Sequence, residues 1–322
     1  MKVSVNAIPK LTLLWAFAES GLGGLLHGFR LPVTGLVLGG FSVITISLIA
    51  HLSEKSGRDI LRATILVLSI KFAASPHSPL SAYMAVFFQG VLGAFLFSVL
   101  GRTRVSVFVF AVVALLESAI QKPLMATLFL GTEVWSAIDE LANKLMQNIG
   151  ANTIHHFSRW LVGVYTSVHV LWGVVLGIWA FNLPERIDSV DKSTVLLDAY
   201  ADKQHGLAMK KRRRSIGALL LFFLIGFLLV LYTLPSENRW TYLIRSFLIV
   251  TSVWLVILPL MKHLLQKWSH ENSEGVASYW QALPQLMQQA QAAWQLAMSE
   301  RSLYKKITRF VVYSFWLTLR VE

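Results

Sequence analysis

The chain has 322 residues, of which 55% are hydrophobic and 14% charged, and its mean hydropathy is +0.58. A water-soluble domain of this size needs more charge to hydrate its surface, and the lack of cysteine excludes disulfides, thiol nucleophiles, thiolate metal sites and iron–sulfur clusters. A net charge of +12 would point to nucleic acid in a soluble protein, but here the basic residues lie mostly between apolar runs, where they set membrane orientation.

The apolar runs are too long for tilted strands and lack alternation, so helices are expected to satisfy the backbone inside lipid. The first span is placed at about residues 11–28. It carries Glu19 mid-run and is followed at once by another span, so it is read as a retained helix and not a signal peptide. Ala16, Ser20, Gly23 and His27 form a small-residue stripe on one face of it, flanked by Gly21 and Gly24. A second span is expected at 31–52, with Gly35 and Gly39 in a GxxxG pattern, and a third at 60–75, ending beyond Lys71. His77 follows in a Ser-Pro-His-Ser-Pro loop. The fourth span, 80–100, holds Gln89, Gly90, Ala94 and Ser98, and the fifth, 105–130, holds Glu117, Gln121 and Lys122.

After an amphipathic stretch at 132–148, a sixth span at 159–181 carries Gly173 and Gly177. Pro32, Pro76, Pro79, Pro184 and Pro235 are read as span ends. Residues 184–214 form the one long polar segment, closing with the basic run 210–214. Two further spans, at 215–234 and 241–261, precede an amphipathic tail at 276–321. The expected fold is an all-α integral membrane protein, a six-helix bundle (1–183) joined by a basic cytoplasmic linker (184–214) to two more transmembrane helices and an amphipathic cytoplasmic tail (215–322).

Basic residues set the orientation. With the N-terminus inside, the inner segments hold Lys2, Lys10, Lys55, Arg58, Arg62, Arg102, Arg104, the 210–214 run, Lys262, Lys267, Arg301, Lys305, Lys306 and Arg309. The outer segments hold chiefly Arg30, Lys144, Arg159 and Arg239. Both termini are therefore expected in the cytoplasm, in a bacterial inner or plasma membrane.

Ionisable groups within spans cost about 2.5–3.5 kcal/mol each on insertion scales, which makes them the candidates for chemistry. Glu19, His27, Lys71, His77, Gln89, Glu117, Gln121 and Lys122 are expected mostly in the outer half of the bilayer, where they would line an outward-facing polar pocket for a small polar solute. The competing reading is that the charges among them pair and lock the bundle. Enzyme signatures are weak: His155 and His156 point to different sides of a helix, and Ser20 lacks a Gly-x-Ser-x-Gly setting. No phosphate-binding loop is present, so any energy for transport must come from a partner or a gradient. No metal or cofactor is expected. A membrane enzyme using Glu19, Glu117 or the histidines on a lipid or polyprenyl substrate stays open, as does a non-catalytic scaffold.

The stretch Ala18-Glu-Ser-Gly-Leu-Gly-Gly-Leu-Leu-His27 followed by Leu31-Pro-Val-Thr-Gly-Leu-Val-Leu-Gly-Gly40 resembles the start of substrate-binding (S) components of energy-coupling factor transporters. The resemblance covers about residues 11–181. It implies a bundle that captures a vitamin-like solute outside, with a transmembrane (T) component gripping the first helix at Ala16, Ser20, Gly23 and Gly24, and paired ATPases driving the cycle. The last two spans and tail would then be a reduced T-like module, in which Ser299-Glu-Arg301-Ser echoes the small-Arg-small end of a T-component coupling helix.

Overall fold

A computed structural model describes residues 7–23, 34–75, 78–150, 152, 156–190, 244, 248, 251, 255–256 and 258–319. The expected seventh span, most of the eighth, the 184–214 linker beyond residue 190, and Gly24, His27 and His77 lie outside the described residues. Among the described residues the long elements are all helices: α1 (Ala7–Phe17, continued by a π-helical turn Ala18–Leu22), α2 (Thr34–Leu52), α3 (Ser56–Ala74), α4 (Leu80–Leu100) and α5 (Arg104–Leu130). They are followed by α6 (Glu133–Asn148), α7 (Phe157–Asp188), α8 (Leu258–Glu271), α9 (Ser273–Met298) and α10 (Leu303–Leu319).

Four of these, α2, α4, α5 and α7, are long and apolar enough to cross a membrane. α3 has the same 19-residue length as α2 but carries Arg58, Asp59, Arg62 and Lys71, and α1 is shorter. The outward faces of the apolar helices are not suited to water. Met84, Phe87, Val91, Phe95 and Val99 run down α4 at helical spacing, and all are exposed. α7 exposes Leu161, Val164, Val168, Leu171, Val175 and Ile178 in the same way. Stripes of that kind belong against hydrocarbon.

The chain divides into two compact units, one of residues 1–118, 169–204 and 261–322, the other of 119–168 and 205–260. In the first, α1, α2, α3 and α4 pack around a core that includes Trp15, Ile46, Ile49, Ile70 and Phe110. Missing side chains set the closest approaches. A Cβ on Gly173 would lie 2.9 Å from Val112 Cα and 3.1 Å from the Ala111 carbonyl oxygen, and one on Gly177 would lie 3.0 Å from Phe108 Cα, so α7 meets α5 backbone to backbone. α9 and α10, joined by only four residues, fold back on each other, with Trp294 edge-on to Phe310 and Arg309 bonded to Glu300. This hairpin packs on α1, and α9 also packs on α3, where Gly275 sits against Leu66.

The second unit contains α6. Trp135 Nε1 donates to Thr127 Oγ1 (2.9 Å), and the Asp139 carboxylate accepts the Ser158 amide (2.6 Å) near the start of α7, satisfying one of that helix's free N–H groups. Lys122 lies over the Tyr165 ring at 5.7 Å.

Pro184 does not end its helix, contrary to the expectation from sequence: α7 continues to Asp188. A proline there leaves the carbonyl four residues back, that of Ala180, without its usual amide. Arg102 supplies the replacement. Its Nη2 donates to the carbonyls of Ala180 (3.1 Å) and Phe181 (2.8 Å), and its Nε to that of Ser47 at 3.1 Å. One guanidinium thus joins the ends of α2 and α7. Burial pulls the Arg102 pKa down while Glu185 pushes it back up.

Candidate functional site

The first helix widens at the π-helical turn Ala18–Leu22, and Glu19 leaves it toward α2 and α3. One carboxylate oxygen accepts from Ser42 Oγ at 2.9 Å, and the other from Lys71 Nζ at 2.6 Å. Ser42 in turn accepts from Trp15 Nε1 at 2.9 Å. The result is one relay, Trp15 to Ser42 to Glu19, closed by Lys71, whose ammonium also lies 5.9 Å from the centre of the Tyr83 ring on α4. The ion pair is sealed, with Glu19 4% and Lys71 1% exposed. Two charges so deeply buried persist only because each offsets the other's loss of water and the hydrogen bonds take up remaining lone pairs. For this pair the structure has the locking arrangement that the sequence left as the alternative to a pocket.

A second polar layer lies between α2, α4, α5 and α7. Gln89 Nε2 reaches Ser118 Oγ at 3.5 Å, and Ser118 also donates to the Ala114 carbonyl. A Cβ on Gly39 would stand 2.9 Å from Leu115 Cδ2 and 3.4 Å from Gln89 Nε2, while one on Gly35 would stand 3.8 Å from His169 Nε2. The two glycines therefore let α2 come up against this layer. Gln89 is buried, and its Oε1 has no hydrogen-bond partner among the described residues. His169, fully buried, is absent from the residues singled out by sequence. A usable signal was present: His169, Gly173 and Gly177 are spaced four apart, which puts the histidine on the small-residue face of α7.

The remaining expected site residues are placed separately. Glu117 is partly buried beside Ser118 in sequence, and its Oε2 is without a hydrogen-bond partner among the described residues. Gln121 and Lys122 belong to the second unit. His27, His77 and Gly24 lie outside the described residues. Of the stripe expected to meet a partner, Ala16 and Ser20 are buried, and Gly23 faces Leu38.

What covers Ser20 belongs to the same chain. The Tyr279 hydroxyl on α9 hydrogen-bonds Ser20 Oγ at 2.9 Å, and Phe315 on α10 stacks on Phe41 of α2 at 5.4 Å and 23°. Burial raises the Tyr279 pKa, and the Ser20 hydrogen bond works against that rise. The amphipathic tail, expected to lie against the cytoplasmic face as two helical segments and contact a partner protein, forms two helices whose buried side is seated on α1 and α3. Arg301 is exposed in the connection between α9 and α10.

No protein-family model, curated protein or solved structure matches the chain.

Proposed function

We propose that the protein is a multi-pass membrane protein for solute uptake, an S-component-like bundle that carries its own docking hairpin. In this reading six spans form the bundle, two more follow, and both termini face the cytoplasm. The solute is small, polar and vitamin-like, and enters from outside. The observation that supports the reading best is the α9–α10 hairpin packed on α1 and bonded through Tyr279 to Ser20, one of the positions where the resemblance implies a T-component contact. Outside the locked Glu19–Lys71 pair, the buried polar groups Gln89 and His169 in the same bundle are of the kind that membrane interiors retain for function. Energy would come from a partner, either a separate T component with ATPases or ATPases that engage the hairpin directly.

The test is binding. Purified protein is mixed with a pool of water-soluble vitamins, and bound ligand is identified by native mass spectrometry. One member of the pool is expected to be retained at one copy per chain, and retention should fall at least about tenfold (roughly 1.4 kcal/mol) in Gln89→Leu, which removes a buried hydrogen-bonding amide. A cooperatively melting protein that retains none of the pool argues against solute capture.

A further inference from the structure

A groove of about 450 Å³ runs between the first turns of α5 and the last turns of α7, lined by Arg104, Val105, Phe108, Gly177, Ile178, Phe181 and Asn182. Its walls are apolar and open: Val105 is 66% exposed, Ile178 58% and Phe108 38%. Its floor is formed where Gly177 brings the two backbones together. Arg104 stands at the polar end. Its guanidinium lies 5.3 Å from the centre of the Phe181 ring, and no carboxylate among the described residues is within ion-pair distance of it. Arg102, 5.0 Å from the centre of the same ring, is held by three backbone carbonyls and adds positive charge without being free to bind.

The combination is specific in its chemistry. An unpaired guanidinium calls for an anion, and exposed valine, phenylalanine and isoleucine below it call for hydrocarbon. A soluble anion would satisfy only the first, and a neutral hydrophobe only the second. We infer that this groove is a binding site for an anionic glycerophospholipid, with the headgroup phosphate on Arg104 and an acyl chain along Val105, Phe108 and Ile178. The inference rests on α5 and α7 crossing the bilayer, as proposed above, with the Arg104 end at the headgroup level. The Arg102–Pro184 arrangement fits this position, because it keeps the end of α7 helical and so holds Phe181 and Asn182 at the groove.

The test uses the full chain, purified in mild detergent and delipidated, then titrated with phosphatidylglycerol or phosphatidylcholine of identical acyl chains and read by native mass spectrometry. One unpaired cation at a headgroup is worth about 1 kcal/mol, or about a fivefold preference for the anionic lipid. That preference should disappear in Arg104→Gln and survive in Arg104→Lys. Val105→Trp, at an exposed position that tolerates bulk, should fill the groove and weaken both lipids. Glycerol phosphate, which has the anion without the chains, should fail to compete. Retention of the preference in Arg104→Gln, or displacement of lipid by glycerol phosphate, would overturn the site. Alkaline carbonate extraction separates the two levels. A chain washed off the membrane defeats the spanning reading and the groove with it, whereas a chain that stays in the membrane with an unaltered Arg104→Gln preference defeats the groove alone.

Discussion

Replacing Lys71 with methionine is expected to cost about 3–5 kcal/mol of stability, because it leaves the Glu19 carboxylate buried with Ser42 as its one remaining polar partner among the described residues. The exposures of 4% and 1% decide the size of the effect: a surface pair of the same geometry contributes about 0–1 kcal/mol. Glu19→Gln should be comparably damaging, since it strands an ammonium in place of a carboxylate. The double variant Glu19→Gln/Lys71→Met should recover much of the loss, having no buried charge to leave unpaired. The pair would then be more stable removed than half-removed. Thermal and denaturant melts in one detergent measure all three variants against the native chain. A Lys71→Met protein that melts like the native one would mean that the pair is not sealed from solvent.

Gly173→Ala should cost about 1–3 kcal/mol, and Gly173→Leu should cost more or prevent folding. The added Cβ meets Val112 Cα at 2.9 Å and the Ala111 carbonyl oxygen at 3.1 Å, and backbone atoms cannot rotate aside as a side chain does. The helices must part, and the nearby contact of Gly177 with Phe108 Cα is lost with them. Gly163 on the same helix is the internal control. A Cβ there meets nothing within 4 Å, so Gly163→Ala should be neutral or add up to about 1 kcal/mol through helix propensity. Equal tolerance of alanine at 173 and 163 would show that α5 and α7 do not touch at Gly173.

The apolar helices are legible because hydrocarbon imposes a length. The run at 80–100 is helix α4 over the same residues, and the run at 105–130 starts one residue earlier as α5. The sixth run extends past its expected end because a proline near a helix terminus removes one hydrogen bond, and a side chain from elsewhere can replace it. Nothing in the sequence around Pro184 shows that Arg102 does so. The charges Glu19 and Lys71 stand out individually, but they are 52 residues apart, and no local pattern marks them as partners. Ser42 and Trp15 complete the relay with ordinary residue types that carry no signal until the helices are packed. The tail illustrates the same limit. Amphipathicity shows that one face of α9 and α10 will be covered, and leaves open whether lipid, another protein or α1 covers it.

The seat of the hairpin on the first helix is what separates a bundle with its own docking module from one that waits for a partner, and it can be measured in native membranes. The chain has no cysteine, so a variant with Ser20→Cys and Tyr279→Cys carries two unique thiols. Tyr279 reaches Ser20 through its full side chain, which places the two backbones too far apart for a direct disulfide and within reach of a short bifunctional thiol reagent. Efficient cross-linking within single chains is expected, seen as a mobility shift of the monomer and unaffected by dilution of the protein in the membrane. Cross-links found only between chains, or none while both thiols remain accessible to a monofunctional reagent, would contradict it.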